Sequence, residues 1–228
     1  MDLGLQNRVY LVTGGSRGLG FAAAEALIAE GARVVLSSPR ETTASAAAGR
    51  LAQTAAAGGD ATWIAADNGD PATPGRLIEA ARERFSRLDG ALISAGGTPP
   101  GTISSTTDEM WRSAFESVFL GAVRLARVLA ADLAEHSKDD AGLGLRTGTG
   151  GSIVLVLAAS VRVPLDRLPI SNGLFPGLAG VIKTLAGEFG PSGIRINGLL
   201  PVRIATDRVR EFDALVVTPM RCVPASPS

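Results

Sequence analysis

TGGSRGLG, Thr13 to Gly20, stands between the apolar run Val9-Tyr10-Leu11-Val12 and the alanine-rich amphipathic stretch Phe21 to Glu30. Strand, glycine turn and helix in that order present bare backbone N–H groups and the positive end of a helix dipole to a phosphate. A glycine triplet by itself also marks ordinary turns. Here a buried strand precedes it, a helix follows, and a second strand comes some twenty residues on, so the turn reads as a dinucleotide cradle. Its spacing, Gly14-x3-Gly18-x-Gly20, differs from G-x-G-x-x-G but leaves backbone near a pyrophosphate in the same way. The cradle residues are Gly14, Ser16, Arg17, Gly18, Leu19 and Gly20.

Outward from the turn, short apolar runs alternate with helical segments every twenty-five to thirty residues. Strands are expected at Arg8–Val12, Arg33–Ser37, Ala61–Ala66, Leu88–Ser94, Ser152–Ala158 and Ile194–Leu200. Helices are expected at Gly18–Gly31, Glu41–Ala57, Pro71–Arg87, Thr107–Glu135 and Leu174–Gly190. That alternation is the signature of βαβ units: an α/β, doubly wound parallel sheet of six strands with helices on both faces. Ligands then belong at the carboxyl ends of the strands. His136 to Gly151 is polar and glycine-rich and reads as a mobile surface loop, with His136 solvated in it. Residues 1–210 are expected to form one Rossmann-like dinucleotide-binding domain, and 211–228 an irregular tail.

Bulk properties narrow the partners. The 228 residues are 46% hydrophobic, enough for a sizeable core, and Lys plus Arg equals Asp plus Glu at 22 each. With no basic block, nucleic acid and anionic membrane surfaces are disfavoured. One Cys and one His exclude an internal disulfide framework and a His/Cys zinc cluster, and suit a reducing, cytoplasmic location. No apolar run approaches a membrane span.

The second strand ends Leu36-Ser37-Ser38, without the acid that would hold the ribose hydroxyls of NAD and repel a 2′-phosphate. Arg17 and Arg40 instead offer two guanidinium groups suited to that phosphate, so NADP is expected over NAD, with Ser37 and Ser38 beside it.

On TGGSRGLG, GARVVLSS (Gly31–Ser38), Asp67, SAGG (Ser94–Gly97), GSIVLVLAAS (Gly151–Ser160) and LAGEFGPSGIRINGLLP (Leu185–Pro201), the chain resembles the short-chain dehydrogenases/reductases, in particular those acting on 3-oxoacyl chains. The resemblance implies an NADP-dependent oxidoreductase on a carbonyl or hydroxyl substrate. It implies that Asp67 and Asn68 contact the adenine, that Ser94, Ala95 and Gly96 line the cofactor, and that Pro201, Ile204 and Thr206 meet the nicotinamide end. It also implies a homo-oligomer, dimer or tetramer, paired through the helices at Thr107–Glu135 and Leu174–Gly190. Two motifs differ: the family has Asn-Asn-Ala-Gly where Ile93-Ser94-Ala95-Gly96 stands, and Pro-Gly where Pro201-Val202 stands. The family's last strand, with its Val-Asp-Gly-Gly, has no counterpart, so the sheet would end one strand short with an apolar edge.

Family members use a tyrosine as proton donor, a lysine four residues later, a serine and an asparagine. Matched through Gly193–Asn197, GSIV and Trp111 with Leu120-Gly121, those positions hold Ser171, Phe175, Ala158 and Val118. All four functional groups are missing. Tyr10, the single tyrosine, lies inside the first strand, and Lys183 is about 12 Å along the helix from Phe175 at ~1.5 Å per residue. Arg162, Asp166, Arg167 and Asn172 flank the site as polar loop residues. The catalytic residues are therefore unknown from sequence, and a non-catalytic NADP-binding pseudoenzyme, a sensor or assembly partner, is the alternative. Specificity is expected to rest on the loops Thr98–Ser105 and Arg162–Leu174.

Overall fold

A computed structural model describes residues 3–55, 58–94, 96–142, 150–202, 204–207 and 209–211, with side chains to 136 in the third of these. β1 (Val9–Thr13), β2 (Arg33–Ser38), β3 (Asp60–Ala65), β4 (Gly90–Ser94), β5 (Ser152–Val156) and β6 (Arg195–Leu199) form one sheet in the order β3-β2-β1-β4-β5-β6. Every pairing is parallel, so every strand ends at the same edge. The order reverses between β1 and β4, the crevice where a doubly wound sheet takes its ligand.

The alternation of side chains along the strands sorts the core into two layers. Val12, Val34 and Leu36 pack with Phe21, Ala24 and Ile28 of α1 (Gly18–Ala29) and with Ala44, Ala47 and Leu51 of α2 (Glu41–Ala52). Val9, Leu11, Val35, Ile93, Ile153 and Ile196 face the other way. They pack with α3 (Thr73–Phe85), α5 (Gly121–Gly142) and α6 (Pro169–Phe189). α4 (Asp108–Ala114) leads into α5 through a π-helical turn at Phe115–Leu120. β6 is the sheet edge among the described residues, and Leu199 on it is 52% exposed.

Strand positions shift by at most two residues from the sequence reading; the helices shift further. α2 stops at Ala52, with the fully buried Leu51 as its last large core side chain; of the stretch read as helix to Ala57, residues 56 and 57 lie outside the described residues. α6 starts at Pro169 rather than Leu174, because Pro at the first helical position has no N–H to lose and its φ already fits. The reading of His136–Gly151 as a loop is corrected: α5 runs on to Gly142, and residues 143–149 lie outside the described residues. His136 sits on that helix, its Nδ1 2.8 Å from the Asp132 carbonyl oxygen and 2.8 Å from Arg82 Nη2. Burial raises the Asp132 carboxyl above its usual range, against the opposing pull of Arg82. The expected tail likewise lies outside the described residues from 212 onward.

At the amino edge of the sheet, Asp89 ties three segments together. Its carboxylate accepts from the Val9 N–H (2.8 Å), from Arg8 Nη1 (2.8 Å) and from Arg87 Nε (2.8 Å). Burial pushes the carboxyl up, but the hydrogen bonds from Arg87, Val9 and Arg8 outweigh it and hold it below the ordinary 3.8. A carboxyl depressed on folding stabilises the protein above its unfolded pKa and stops doing so as pH falls through its folded one. Asp89→Ala should therefore cost about 2–3 kcal/mol at neutral pH, since it strands a buried N–H and two half-buried guanidinium groups. Urea denaturation should show that penalty shrinking as the pH drops below about 3.8.

Candidate functional site

β1 ends in Thr13, fully buried, and its hydroxyl knots the carboxyl edge together. The Ser94 N–H donates to Thr13 Oγ1 at 3.0 Å, and Asn68 Nδ2 donates to the Ser94 carbonyl at 3.0 Å. β1, β4 and the turn after β3 are thus locked at one point. Gly14 then turns the chain at φ +61°, with its Cα hydrogen facing Ser94: a Cβ there would sit 3.2 Å from the Ser94 Cβ. Gly20, one turn into α1, packs its Cα against the Gly14 carbonyl, where a Cβ would lie 2.5 Å from that oxygen. The two glycines fold the turn back onto the helix start. α1 carries no side-chain cap and no acid in its first turn, so its N-terminal N–H groups and dipole are left to a ligand. A dinucleotide pyrophosphate fits this cradle by the chemistry of the donors alone.

The remaining cradle candidates fall around that turn. Ser16, Arg17 and Leu19 lie in it or in the first turn of α1. Ser37 and Ser38 end β2, but both are buried, at 1% and 4% exposure. Ser38 Oγ is 2.8 Å from Thr43 Oγ1, whereas Ser37 Oγ, next to the Ser37 carbonyl that accepts from the Gly15 N–H, has no partner. Among the described residues it is the one buried side-chain polar atom left so. Arg40 flanks the N-terminus of α2, and its carbonyl accepts from Thr43 Oγ1 at 2.9 Å. Asp67 is exposed and folds its own turn, its Oδ1 accepting from the Gly69 N–H at 2.9 Å. Gly96 follows β4 at φ +88°. Ala95 lies outside the described residues. Pro201 and Ile204 follow β6, Ile204 at 46% exposure, and Thr206 places its methyl 3.9 Å from where a Gly18 Cβ would be.

The four catalytic positions converge on a different kind of interior. Val118, in the π-helical turn, and Phe175, on α6, are both buried in the larger core layer, and Ala158 packs against it. These are three of the positions that the resemblance matches to the family's polar relay, and the side chains there are hydrocarbon. Ser171 remains, 3% exposed, with its Oγ 3.0 Å from the buried Ser160 Oγ; Ser160 also reaches the Ser171 carbonyl at 3.3 Å. No charged group is hydrogen-bonded to either hydroxyl among the described residues. Ser160, two residues past the family's serine position, was not foreseen; its spacing to Ser171 gave no warning, because a strand end and a helix start meet there only in the fold. Trp111 closes over α6, its ring 2.9 Å from where a Gly173 Cβ would point.

The single tyrosine is no substitute. Tyr10 lies in β1 between Val9 and Leu11, toward the amino edge, where burial, then the Asp89 carboxylate, raise its phenol above 10.0. The two loops nominated for specificity do meet, around a cleft of about 380 Å³ lined by Gly101, Ile103, Leu165, Arg167 and Asn172 among others. Asn172 is the staple of the second loop rather than a group free to polarise a carbonyl. Its Nδ2 donates to the Leu165 carbonyl (2.9 Å) and its Oδ1 accepts from the Leu165 N–H (2.8 Å). Arg167 takes a left-handed φ of 55°, and its carbonyl accepts from the Gly101 N–H at 2.9 Å, which joins the loops. Among the described residues no group of His, Cys, Asp and Glu could hold a metal ion, and no helix is long and apolar enough to cross a membrane.

A parallel sheet of order 3-2-1-4-5-6 with a glycine cradle at its switch point defines a dinucleotide-binding α/β protein. The short chain dehydrogenase family model matches residues 8–215, and the chain belongs to that family of oxidoreductases. The NAD(P)-dependent L-rhamnose 1-dehydrogenase of Azotobacter vinelandii is 31% identical over 208 residues, 91% of this chain and 77% of the relative. The crystal structure of L-sorbose reductase from Gluconobacter frateurii, complexed with NADPH and L-sorbose, superposes with a TM-score of 0.82 at 30% identity, covering 96% of this chain and 78% of that one. A 3-ketoacyl-(acyl-carrier-protein) reductase from Brucella melitensis, complexed with NADH, gives 0.79 at 25%, covering 90% and 80%.

The serine pair makes a checkable asymmetry. Ser160→Ala leaves the Ser171 hydroxyl buried without a partner and should cost about 1–3 kcal/mol. Ser171→Ala leaves Ser160 its bond to the Ser171 carbonyl and should cost less, about 1 kcal/mol. Thermal denaturation of the two variants should rank them in that order.

Proposed function

We propose that this chain binds NADP(H) in the cradle of Gly14–Gly20 and does so without the proton relay of its family. The observation that carries the reading is the contrast within one molecule. The uncapped α1 N-terminus and its glycines are intact, while Val118, Ala158 and Phe175 put apolar side chains where the relay would stand. Arg17 and Arg40 support NADP over NAD, as the absence of an acid at Ser37-Ser38 does. NADPH, when bound, supplies a hydride from its nicotinamide ring. This chain's residues hold the phosphates on backbone N–H groups and exclude water with the Trp111-covered face of α6. They present no group that would donate a proton near neutral pH. The function is then dinucleotide binding itself, as a sensor or an assembly partner in the cytoplasm. A homo-oligomer built through α4, α5 and α6 belongs to the same proposal, supported by Phe115, which is 45% exposed and stacked on Phe119 at 5.2 Å.

A second reading, an NADP-dependent oxidoreductase on a carbonyl or hydroxyl substrate, is favoured by the Ser171 hydroxyl at the proton-donor position. Positioning alone lowers a barrier by about 7–11 kcal/mol, and acid–base help adds only ~10²–10⁴-fold, so turnover without the relay is physically open.

One sample separates the readings. Titration with NADPH, followed by fluorescence or calorimetry, should give saturable binding that Gly20→Val abolishes. A panel of ketones, oxoacyl thioesters and quinones should then leave the NADPH unconsumed. Steady consumption that disappears in Gly20→Val establishes the oxidoreductase instead, and no binding at all removes both.

A further inference from the structure

The segment after β6 comes back across the cradle. Thr206 sits with its methyl 3.9 Å from where a Gly18 Cβ would be, and a short helical turn follows, held by the Arg210 N–H on the Thr206 carbonyl (3.1 Å) and by Arg210 on Asp207 (2.7 Å). At its end, Glu211 reaches Arg17: Oε1 accepts from Nη1 at 3.1 Å, across 194 residues of chain. Arg17 is the guanidinium of the glycine turn itself, and no other carboxylate pairs with it among the described residues. Arg40, the second candidate for the same phosphate, flanks the N-terminus of α2.

We infer that Glu211 is a specificity-determining residue for the dinucleotide: its carboxylate partly neutralises the Arg17 guanidinium that a 2′-phosphate would take, so it competes with NADP and not with NAD. The inference rests on the cofactor reading above. The contact is a single Nη1–Oε1 bond, so the two anions compete for one positive charge rather than for one fork. The phosphate carries about two negative charges to the carboxylate's one, so it wins the exchange once bound. Until then the pair holds Glu211 beside Arg17, at the mouth of the cradle. The two side chains are 63% and 60% exposed, which keeps the pair weak, a matter of a few-fold in affinity, and makes it sensitive to salt.

The test is the affinity of NADP and of NAD, measured side by side on wild type, Glu211→Gln, Arg17→Gln and the double variant, at low and high ionic strength. Glu211→Gln should tighten NADP by about two- to fivefold at low salt while NAD changes less, and the difference should fade at high salt. Arg17→Gln should weaken NADP and bring the two dinucleotides together, and in that background Glu211→Gln should do nothing further. Equal shifts for NADP and NAD, or the same gain in the Arg17→Gln background, overturn the competition while leaving dinucleotide binding in place. Binding of neither dinucleotide by wild type and Glu211→Gln alike overturns the cofactor reading and the competition with it. Gain of NADP binding in Glu211→Gln alone establishes the competition in a stronger form.

Discussion

The contact on which the site depends is the close approach of Gly20 to the Gly14 carbonyl. With 2.5 Å between that oxygen and a would-be Cβ, any side chain at residue 20 would push α1 away from the end of β1. The helix N-terminus would then point past the crevice between β1 and β4 instead of into it. Everything assigned to a ligand follows from that angle: the free N–H groups of α1, the place of Arg17 at its first turn, and the nearness of Ser37 through the Gly15 N–H. The Thr13–Ser94–Asn68 knot keeps the floor of the crevice fixed while the turn above it stays bare.

Sheet and cradle were legible in the sequence for related reasons. A buried parallel strand is a short, branched, largely apolar run, as in the VVL of RVVLSS and the IVLV of SIVLV. Helix limits were less legible, because they are settled by tertiary contacts. Pro169 looks like a breaker until it falls at the first helical position, and the chain past His136 looks like a loop until Arg82 of α3 meets that histidine and Asp132. The π-helical turn at Phe115–Leu120 has no composition of its own to announce it.

The site divides along the same line. The glycines are local in sequence and were read; the pairings that make use of them span the chain and were not. Asn68, assigned to adenine by resemblance, also bonds the Ser94 carbonyl, and Asn172, read as a polar loop residue, staples Leu165. Ser160 with Ser171, and Glu211 with Arg17, join residues 11 and 194 positions apart. Neither pair leaves a periodicity or a spacing to find.

The two core layers explain how a cradle can stay whole while the relay positions are hydrocarbon. α1 and α2 rest on Val12, Val34 and Leu36, on one face of the sheet. Val118, Ala158 and Phe175 belong to the layer on the other face, with α3, α5 and α6. An asparagine or a lysine in that second layer has to be hydrated, paired or hydrogen-bonded, at a cost of several kcal/mol if it is not. Valine, alanine and phenylalanine there carry no such demand and add to the packing against Leu125, Leu178 and Ile182. Since the relay groups depend on one another for partners, losing one leaves the others buried and unsatisfied. Apolar side chains at three of the positions carry no such demand, and the one hydroxyl left, Ser171, has its partner in Ser160. The α1 face shares no helix with that layer, so its packing does not depend on which side chains stand there.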